Sequence, residues 1–150
     1  MSALTIYTDG GCSGNPGPGA WAYILISGQE RFRAVESVPA TTNNRMELQG
    51  VIAALQEVDR HPEWRDRELE IFTDSEYVKK GITEWIEAWE RNGWRTRSRQ
   101  PVKNQELWQE LRRLSRSRNI RWRWLQGHSG NPWNEECDRL VRQAIARLKR

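Results

Sequence analysis

The chain has little cysteine and no long apolar run, and these two features argue against disulfide-rich and membrane-spanning classes of protein. Its 150 residues include only two cysteines, Cys12 and Cys137, and no CxxC pair, which argues against a disulfide framework and fits a reduced, cytoplasmic setting. No apolar run reaches the roughly 18 residues that a membrane span needs. The first residues also lack a basic segment followed by a long apolar one, so we expect no secretory signal.

Apolar residues make up only 37% of the chain, and 29% of the residues are charged. Nine tryptophans supply the bulky burial that short aliphatic side chains would otherwise provide. No linker, repeat or low-complexity stretch divides the sequence. We therefore expect one domain over residues 1–150, long enough to bury a core.

Positive charge is concentrated in residues 91–123, which hold eleven bases and two acids. The net charge of this segment is +9, so with a total of +4 the rest of the chain carries −5. The asymmetry suggests that a polyanion binds at one part of the domain and metal at another, although a solvated helical face would give the same pattern. Arginine, whose planar guanidinium binds phosphate through paired hydrogen bonds, outnumbers lysine twenty to four.

The spacing of apolar residues predicts both strands and helices. Five strands are predicted, at 3–8, 20–27, 31–38, 68–73 and 119–126. Five helices are predicted, at about 44–61, 74–81, 83–91, 104–117 and 134–148. Gly28-Gln29 indicates a hairpin, and Gly81 is expected to end the second helix. A meander followed by alternating helices and strands predicts a mixed sheet covered by helices.

Four acidic residues, each in a short polar segment beside an apolar run, are the candidate catalytic groups. They are Asp9 in IYTDGGCSGNPGPG, Glu47 in TTNNRMEL, Asp74 in IFTDSEYV and Asp138 in NEECDRLV. They lie 38, 27 and 64 residues apart, so only the fold could bring them together. Clustered carboxylates repel one another and persist only by taking up protons or binding cations. Hard oxygen ligands of this kind suit Mg²⁺ or Mn²⁺.

The first two acids also have ordinary local explanations. Asp9 precedes Gly10-Gly11, and Asp-Gly commonly forms a turn. Glu47 lies three residues after Asn44, as in a capping box, and either Asn43 or Asn44 can cap this helix. A glutamate in the first turn can nevertheless point along the helix axis toward the end of a sheet.

The other two acids have local explanations as well. Asp74 can cap the helix that follows it, or leave that task to Ser75. Asp138 can interact with the helix N-terminus or pair with Arg142 at i,i+4. Against these explanations, Asp9 and Asp74 both lie at C-terminal ends of predicted strands, where open α/β sheets bind ligands.

Together these motifs resemble the type I bacterial ribonuclease H family, and the match covers nearly the whole chain. TDGGCSGNPGPG, TTNNRMEL, TDSEYV, GITEW and the GH–NE–CD segment appear in the family's order and spacing. The resemblance implies an α/β fold (α+β by some schemes): a ribonuclease H-like five-stranded mixed sheet flanked by helices on both faces. It also implies an endonuclease that hydrolyses the RNA strand of RNA–DNA hybrids to 5′-phosphate and 3′-hydroxyl products.

The resemblance assigns metal-binding and catalytic roles. Asp9, Glu47, Asp74 and Asp138 would hold two Mg²⁺ ions, for which Mn²⁺ can substitute, at an in-line displacement at phosphorus. His128 would lie on a mobile loop and pass protons or help product leave, although an ordinary surface histidine fits its position equally well.

The resemblance also implies contacts with both strands of the substrate. Asn15, Asn43 and Asn44 would contact the minor groove, because an amide can both donate to and accept from a 2′-hydroxyl. Thr42 and Asn104 would bind a phosphate of the DNA strand.

A basic helical protrusion at about 83–103 would hold the hybrid through sequence-independent, salt-sensitive contacts. Trp85, Trp89, Arg91 and Arg95 would make these contacts, although most tryptophans of the chain are expected in the core or half-buried.

Two positions depart from the family pattern. Glu90 lies where relatives often have lysines, and Ala40 lies where many carry a basic residue. Both changes concern substrate affinity rather than the chemistry.

Two other functions fit part of the pattern. The same fold hosts DNA nucleases and transposase-type catalytic domains, but the adjacent asparagines and the tryptophan-bearing protrusion argue against them. A non-catalytic hybrid-binding module is the other alternative, and a lost carboxylate would have signalled it. We therefore expect a cytoplasmic, monomeric ribonuclease H that binds RNA–DNA hybrids and no membrane.

Overall fold

The computed structural model describes residues 3–127 and 130–150. The strands are β1 (Leu4–Cys12), β2 (Gly17–Ser27), β3 (Glu30–Thr41), β4 (Leu69–Thr73) and β5 (Ile120–Trp124). The α-helices are α1 (Asn43–Asp59), α2 (Glu76–Lys80), α3 (Ile86–Arg91), α4 (Gln105–Ser115) and α5 (Pro132–Leu148). A 3-10 turn (Pro62–Trp64) follows α1, and a π-helical turn (Gly81–Trp85) joins α2 to α3.

The five strands form one mixed sheet in the order β3-β2-β1-β4-β5. The first three strands pair antiparallel, whereas β4 pairs parallel with both β1 and β5. The β2–β3 hairpin turns at Gly28, whose φ of +60° is a left-handed conformation that favours glycine. The predicted meander, hairpin and parallel strands are therefore confirmed, although β1, β2 and β3 extend further than predicted.

Helices α1 and α5 cover opposite faces of the sheet. On β1, Ile6 packs into a core cluster with Leu48 of α1, while the next residue, Tyr7, packs with Cys137 of α5. Successive residues of a strand point to opposite faces, so these contacts place the two helices on the two sides. The expected helices on both faces are confirmed.

The larger core lies on the α1 side, where α4 packs against α1. Trp108 of α4 is fully buried in this core and Trp64 nearly so, and the other seven tryptophans are partly buried. The expectation that most tryptophans belong to the core or its margin is confirmed. No helix in the described part of the chain is both long and apolar enough to cross a membrane.

Helix α2 ends at Lys80 with Gly81 as its C-terminal cap residue, as predicted, but Gly81 is not a left-handed cap. Its φ of −61° and ψ of −45° are right-handed helical, and the chain continues through the π-helical turn into α3. The reason for glycine here is packing, because a Cβ at this position would lie 1.9 Å from Cη2 of Trp108. The residue lets α2 approach α4 and does not serve as a left-handed cap.

We predict that Gly81→Ala destabilises the protein by about 1–3 kcal/mol, because it overpacks the fully buried Trp108 ring. Urea denaturation measures the change. Helix propensity alone would stabilise the variant by up to about 1 kcal/mol, so the sign of the effect separates the two causes. The penalty should shrink in a Trp108→Phe background, where the ring is smaller, and a stabilised Gly81→Ala protein would contradict the packing explanation.

Candidate active site

Two of the four candidate acids are positioned by adjacent parallel strands, β1 and β4. Asp9 pairs with Ala22 inside β1, so it is neither a turn residue nor the end of the strand, as β1 continues to Cys12. Asp74 directly follows β4. The register of the two strands ends at the pair Tyr7–Phe72, so Asp9 and Asp74 each lie two residues beyond it. The sheet register therefore sets these two carboxylates side by side.

Helix capping does not account for Asp74 or Glu47. Ser75 caps α2, accepting a hydrogen bond from the Val78 backbone N–H at 3.1 Å. Thr42 caps α1, so neither Asn43 nor Asn44 is the cap and a capping box centred on Asn44 is not formed. Neither acid is therefore needed as a helix cap, and both can serve another role.

Glu47 reaches the sheet because α1 packs directly onto β1 at Gly10. A Cβ on Gly10 would lie 2.3 Å from the Met46 carbonyl carbon and 2.4 Å from the Glu47 backbone nitrogen. Only a residue without a side chain allows this approach of two backbones. The close contact brings the second turn of α1 to the position of Asp9.

The carboxylates of Asp9, Glu47 and Asp74 meet at this point. Each offers an oxygen, and these atoms lie within 4.8 Å of one another. Asp9 is buried, and Oε1 of Glu47 is buried without a hydrogen-bond partner among the described residues. A buried, unpaired carboxylate oxygen is costly, and a hard divalent cation would satisfy it while offsetting the repulsion. The donor set therefore fits a metal such as Mg²⁺.

The electrostatics of the cluster favour protonation in the absence of a cation. Burial, followed by the charges of Asp74 and Asp138, raises the pKa of Asp9 to about 8. Burial, followed by the charges of Asp9 and Asp74, also raises the pKa of Glu47 well above its ordinary value. The backbone N–H of Gly10 opposes both shifts without cancelling them.

Asp138 lies at the edge of this cluster. Its carboxylate is not among the three whose oxygens lie within 4.8 Å, yet its charge contributes to the raised pKa of Asp9. Nε of Arg142 lies 2.9 Å from Oδ2 of Asp138, which is the i,i+4 ion pair of the local explanation. Oδ2 is buried and makes no hydrogen bond to the described residues, so the contact is ionic only. Asp138 thus acts on Asp9 through its charge while its carboxylate stays paired with Arg142.

His128 lies outside the described residues, so its role stays a prediction. The residue directly before it, Gly127, lies beside the acidic cluster. A Cβ at Gly127 would be 3.4 Å from Oδ2 of Asp74. The segment leading to His128 therefore starts next to one of the candidate ligands.

The three asparagines of the proposed minor-groove contact lie together. The Asn43 backbone N–H donates to Oδ1 of Asn15 at 3.2 Å, and the Asn44 backbone N–H donates to Oδ1 of Asn43 at 2.9 Å. These bonds connect the loop after β1 to the start of α1, near Glu47. The amide nitrogens of Asn15 and Asn43 make no hydrogen bond to the residues that the structure describes.

The aromatic residues of the protrusion are anchored in the core. The rings of Trp85 and Trp89 lie 5.6 Å apart, and Trp89 meets Trp108 edge-to-face at 5.5 Å. Arg91 and Arg95 are exposed. Trp85, Trp89 and Arg95 line a groove of about 300 Å³. The structure thus presents two half-buried indole rings beside exposed positive charge.

Of the two departures from the family pattern, the structure explains Glu90 and gives the surroundings of Ala40. Glu90 forms ion pairs with Arg112, at 3.0 Å, and with Arg116, so its carboxylate is engaged with α4. Ala40 lines a groove of about 590 Å³ together with Thr41 and Arg45.

Sequence reasoning overlooked two residues that contact Asn104. Nη1 of Arg45 donates to Oδ1 of Asn104 at 3.2 Å, and Nδ2 of Asn104 donates to the Tyr77 hydroxyl at 3.1 Å. Because the backbone N–H of Arg45 also donates to Thr42 Oγ1, Arg45 connects both proposed phosphate contacts. Arg45 belongs to the motif TTNNRMEL and Tyr77 to the motif TDSEYV. Their positions inside these motifs could have indicated them as candidate site residues.

Known proteins resemble the chain over nearly its whole length. It is 48% identical over 157 aligned residues to the ribonuclease H of Treponema denticola, which covers 97% of this chain and 98% of the relative. It is 46% identical over 146 residues to the ribonuclease H of a Bradyrhizobium species, with coverages of 97% and 92%.

A solved structure and a family profile agree with these relatives. LC9-RNase H1, described as a type 1 RNase H with the type 2 active-site motif, is 30% identical and superposes with a TM-score of 0.86, covering 99% of this chain and 74% of that one. The RNase H family profile matches residues 1–146. With this profile, these relatives and the acidic cluster on a five-stranded mixed sheet, the chain belongs to the RNase H family.

Proposed function

We propose that this chain is a metal-dependent endonuclease that hydrolyses the RNA strand of RNA–DNA hybrids. The observation that carries the proposal is the acidic cluster, in which oxygens of Asp9, Glu47 and Asp74 lie within 4.8 Å and one Glu47 oxygen is buried without a partner among the described residues. Membership of the RNase H family and the basic segment at 91–123 support the substrate class.

Asp9, Glu47, Asp74 and Asp138 would hold Mg²⁺, two ions in the catalytic complex, with Mn²⁺ as a substitute. Bound there, the metal would lower the pKa of the attacking water and stabilise the oxygen that leaves, giving 5′-phosphate and 3′-hydroxyl products. The raised pKa of Asp9 supports this assignment, since a cation would displace its proton and relieve the repulsion.

The chain's own contribution is to hold the acids in place before substrate arrives. Asp9 is a paired residue of β1, and Glu47 lies in α1, which Gly10 lets pack against that strand. Groups on packed elements need little reorganisation during the reaction. His128 would assist by passing protons or by helping product leave.

Strand discrimination would come from the asparagine cluster beside the acids. Asn15, Asn43 and Asn44 would contact 2′-hydroxyls of the RNA strand across the minor groove. The amide nitrogens of Asn15 and Asn43, which have no partner in the described part of the chain, support this role because each can donate to a hydroxyl oxygen.

The DNA strand would follow a surface that begins at the proposed phosphate contacts and continues over the protrusion. Its residues would be Thr42, Asn104, Trp85, Trp89, Arg91 and Arg95. The exposed arginines would neutralise backbone phosphates without reading sequence, so binding would weaken as salt concentration rises. We further propose that residues 1–150 act as one catalytic domain, with its protrusion at about 83–103, and that the protein is a cytoplasmic monomer.

The first test is the cleavage of end-labelled duplexes of one sequence, with Mg²⁺ or with EDTA. The duplexes are RNA–DNA, RNA–RNA and DNA–DNA, with single-stranded RNA as a fourth substrate. We expect cleavage only of the RNA strand of the hybrid, and its loss in EDTA, because both the carboxylate cluster and strand discrimination are required. Cleavage of DNA would indicate a DNA nuclease instead, and binding without cleavage would indicate a non-catalytic hybrid-binding module.

Asp74→Asn should abolish cleavage while hybrid binding is kept or strengthened, because the change removes a metal ligand and a repulsive charge together. The rate should fall by more than about 100-fold, since even outer partners of metal ligands cost up to that factor. Single-turnover cleavage and fluorescence anisotropy measure the two effects. Asp66→Asn, a change of an exposed acid outside the cluster, is the matched control. Full activity of Asp74→Asn would refute the metal role of this residue.

Asp9 should make the metal-free protein less stable as pH rises. Its ordinary pKa of 3.8 is raised to about 8 in the fold, so between these values the folded state binds more protons than the unfolded state. The stabilisation is complete below the lower value and is lost as pH rises through the higher one.

Thermal denaturation in EDTA from about pH 6 to about pH 9 measures this effect. The melting temperature of the wild type should fall across the range, and the fall should be smaller in Asp9→Asn. Asp66→Asn should keep the wild-type slope. Equal slopes for all three proteins would exclude a raised pKa at Asp9.

A further inference from the structure

The C-terminal end of α5 reaches the edge of the sheet at which β1 ends. Val141 of α5 lies against Gly11 of β1, where a Cβ would be 3.2 Å from Cγ1 of Val141. Lys149, which directly follows the helix, donates through Nζ to Oγ of Ser13 at 3.0 Å. Ser13 is the first residue after β1. The last turn of α5 therefore lies at the same edge of the sheet as the acidic cluster.

Lys149 lies on the same side of α5 as Asp138. Eleven residues separate the two, which is about three turns of an α-helix. The backbone of Lys149, with φ of −83° and ψ of −10°, continues the right-handed conformation of the helix. The rise over this distance is about 16 Å, which spans several phosphates of one nucleic-acid strand. A strand with one phosphate at the acids can therefore place another beside Lys149.

The Lys149 ammonium is an exposed positive charge. Its one hydrogen bond is to a neutral hydroxyl, and it makes no ion pair within the described ranges 3–127 and 130–150. An ammonium has three N–H donors, so two remain for a ligand.

Many cations of the basic segment 91–123 differ from Lys149 because acids neutralise them. Six of its eleven bases form ion pairs: Arg112, Arg113, Arg116, Arg118, Arg121 and Arg123. Such pairs reduce the positive charge that a polyanion meets at α4 and β5. The count of bases along the sequence therefore does not show where a polyanion finds unpaired charge.

Ser13 connects Lys149 to the proposed minor-groove contact. The loop after β1 is compact here, since the Ser13 N–H donates to the Pro18 carbonyl oxygen at 2.8 Å. A Cβ on Gly17 would lie only 2.0 Å from the Ser13 carbonyl oxygen. Asn15, two residues after Ser13, is exposed. A duplex in contact with Asn15 therefore passes within reach of the ammonium.

Lys149 and the protrusion lie on opposite sides of the sheet. Trp89 of the protrusion packs against the core cluster on the α1 side, whereas α5 covers the other face. The proposed DNA-strand surface is on the α1 side. The other strand of a duplex that crosses the acids therefore faces α5, and that strand is the RNA.

We infer that the Lys149 ammonium binds a backbone phosphate of the RNA strand, several nucleotides from the phosphate that is cleaved. A charge-assisted hydrogen bond of this kind adds affinity without reading sequence. Lys149 is therefore a substrate-binding residue and not a catalytic one. The inference rests on the proposed function, since it adds a contact to the same substrate.

Two other roles would also account for a lysine at this position. A cation at the end of a helix interacts favourably with the helix dipole. Arg147 shares this property, but it follows Asp138 by nine residues, about two and a half turns, and so lies on the opposite side of α5. Alternatively, the bond to Ser13 would act only by fixing the loop that carries Asn15. Arg147 and Ser13 therefore provide the two controls.

The test measures kcat and KM for cleavage of an RNA–DNA hybrid with Mg²⁺ at several salt concentrations. The proteins are the wild type, Lys149→Gln, Lys149→Arg, Arg147→Gln and Ser13→Ala. An uncharged methylphosphonate then replaces one phosphate at a time, first in the RNA strand and then in the DNA strand. In the RNA strand, the ribose beside each replaced phosphate carries a 2′-O-methyl group, and a hybrid with that methyl group alone is the reference.

Lys149→Gln should raise KM about two- to fivefold at low salt with kcat unchanged, as expected when an exposed charge pair is lost from binding. The slope of log KM against log salt concentration should fall by about one, because one phosphate contact is lost. Lys149→Arg should keep both values close to those of the wild type. One methylphosphonate in the RNA strand should raise the KM of the wild type by the same factor and leave that of Lys149→Gln unchanged.

The controls separate the three roles of the lysine. Arg147→Gln should match the wild type, and equal effects of Arg147→Gln and Lys149→Gln would overturn the inference. Ser13→Ala should keep the wild-type salt slope. If Ser13→Ala raises KM as much as Lys149→Gln does, the lysine only fixes the loop and the inference is wrong.

The two strands of the hybrid give different outcomes as well. Coupling between Lys149→Gln and a methylphosphonate of the DNA strand would refute the assignment to the RNA strand. A wild-type protein that cleaves no hybrid would overturn the proposed function and the inference with it. Because the wild type alone reports that failure, it is distinguishable from a failure of the inference about Lys149.

Discussion

The mutual repulsion of buried carboxylates is the constraint on which the rest of this structure depends. Three acids whose oxygens lie within 4.8 Å destabilise any fold that holds them without protons or cations. Burial of apolar side chains in the neighbouring strands offsets this repulsion. Leu4 and Ile6 of β1 and Leu69 and Ile71 of β4 are completely inaccessible to solvent. The strands beside the acids are thus among the most deeply buried parts of the fold. The free energy gained by burying them opposes the repulsion between the carboxylates.

Trp108 connects the core to the proposed substrate surface. Gly81 packs against its ring, its indole N–H is bonded to Tyr77, and Trp89 of the protrusion meets it edge-to-face. Arg112 of the same helix, α4, and Arg116 directly after it also form ion pairs with Glu90. A single buried side chain therefore connects the protrusion with the hydrogen-bonded group of Arg45, Asn104 and Tyr77, so the proposed DNA-strand contacts at both places would share one support. Preorganised binding groups of this kind lose less conformational entropy when a ligand arrives.

Local patterns in the sequence were sufficient for most of the fold. Alternation and helical spacing predicted the five strands and the positions of the helices, and Gly28 marked the hairpin, because these features depend on neighbours within a few residues. Local patterns did not reveal features that a distant contact decides. Gly81 ends α2 as predicted, but glycine is required there because of Trp108, which lies 27 residues further along the chain. Thr42 rather than either asparagine caps α1, and Oδ1 of Asn43 instead accepts from the Asn44 backbone N–H.

The sequence by itself determined the type of site, because four acids in family-specific motifs allow few chemistries. It also determined the family, through the order and spacing of those motifs. Only the tertiary structure decided how the acids are arranged: the register of β1 and β4 and the contact at Gly10 bring three together, while Asp138 is paired with Arg142 at the edge. The hydrogen bonds that join Arg45, Asn104 and Tyr77 likewise appear only in three dimensions. Hydrogen bonds between residues far apart in the chain depend on the packing of whole elements, and no local pattern records them.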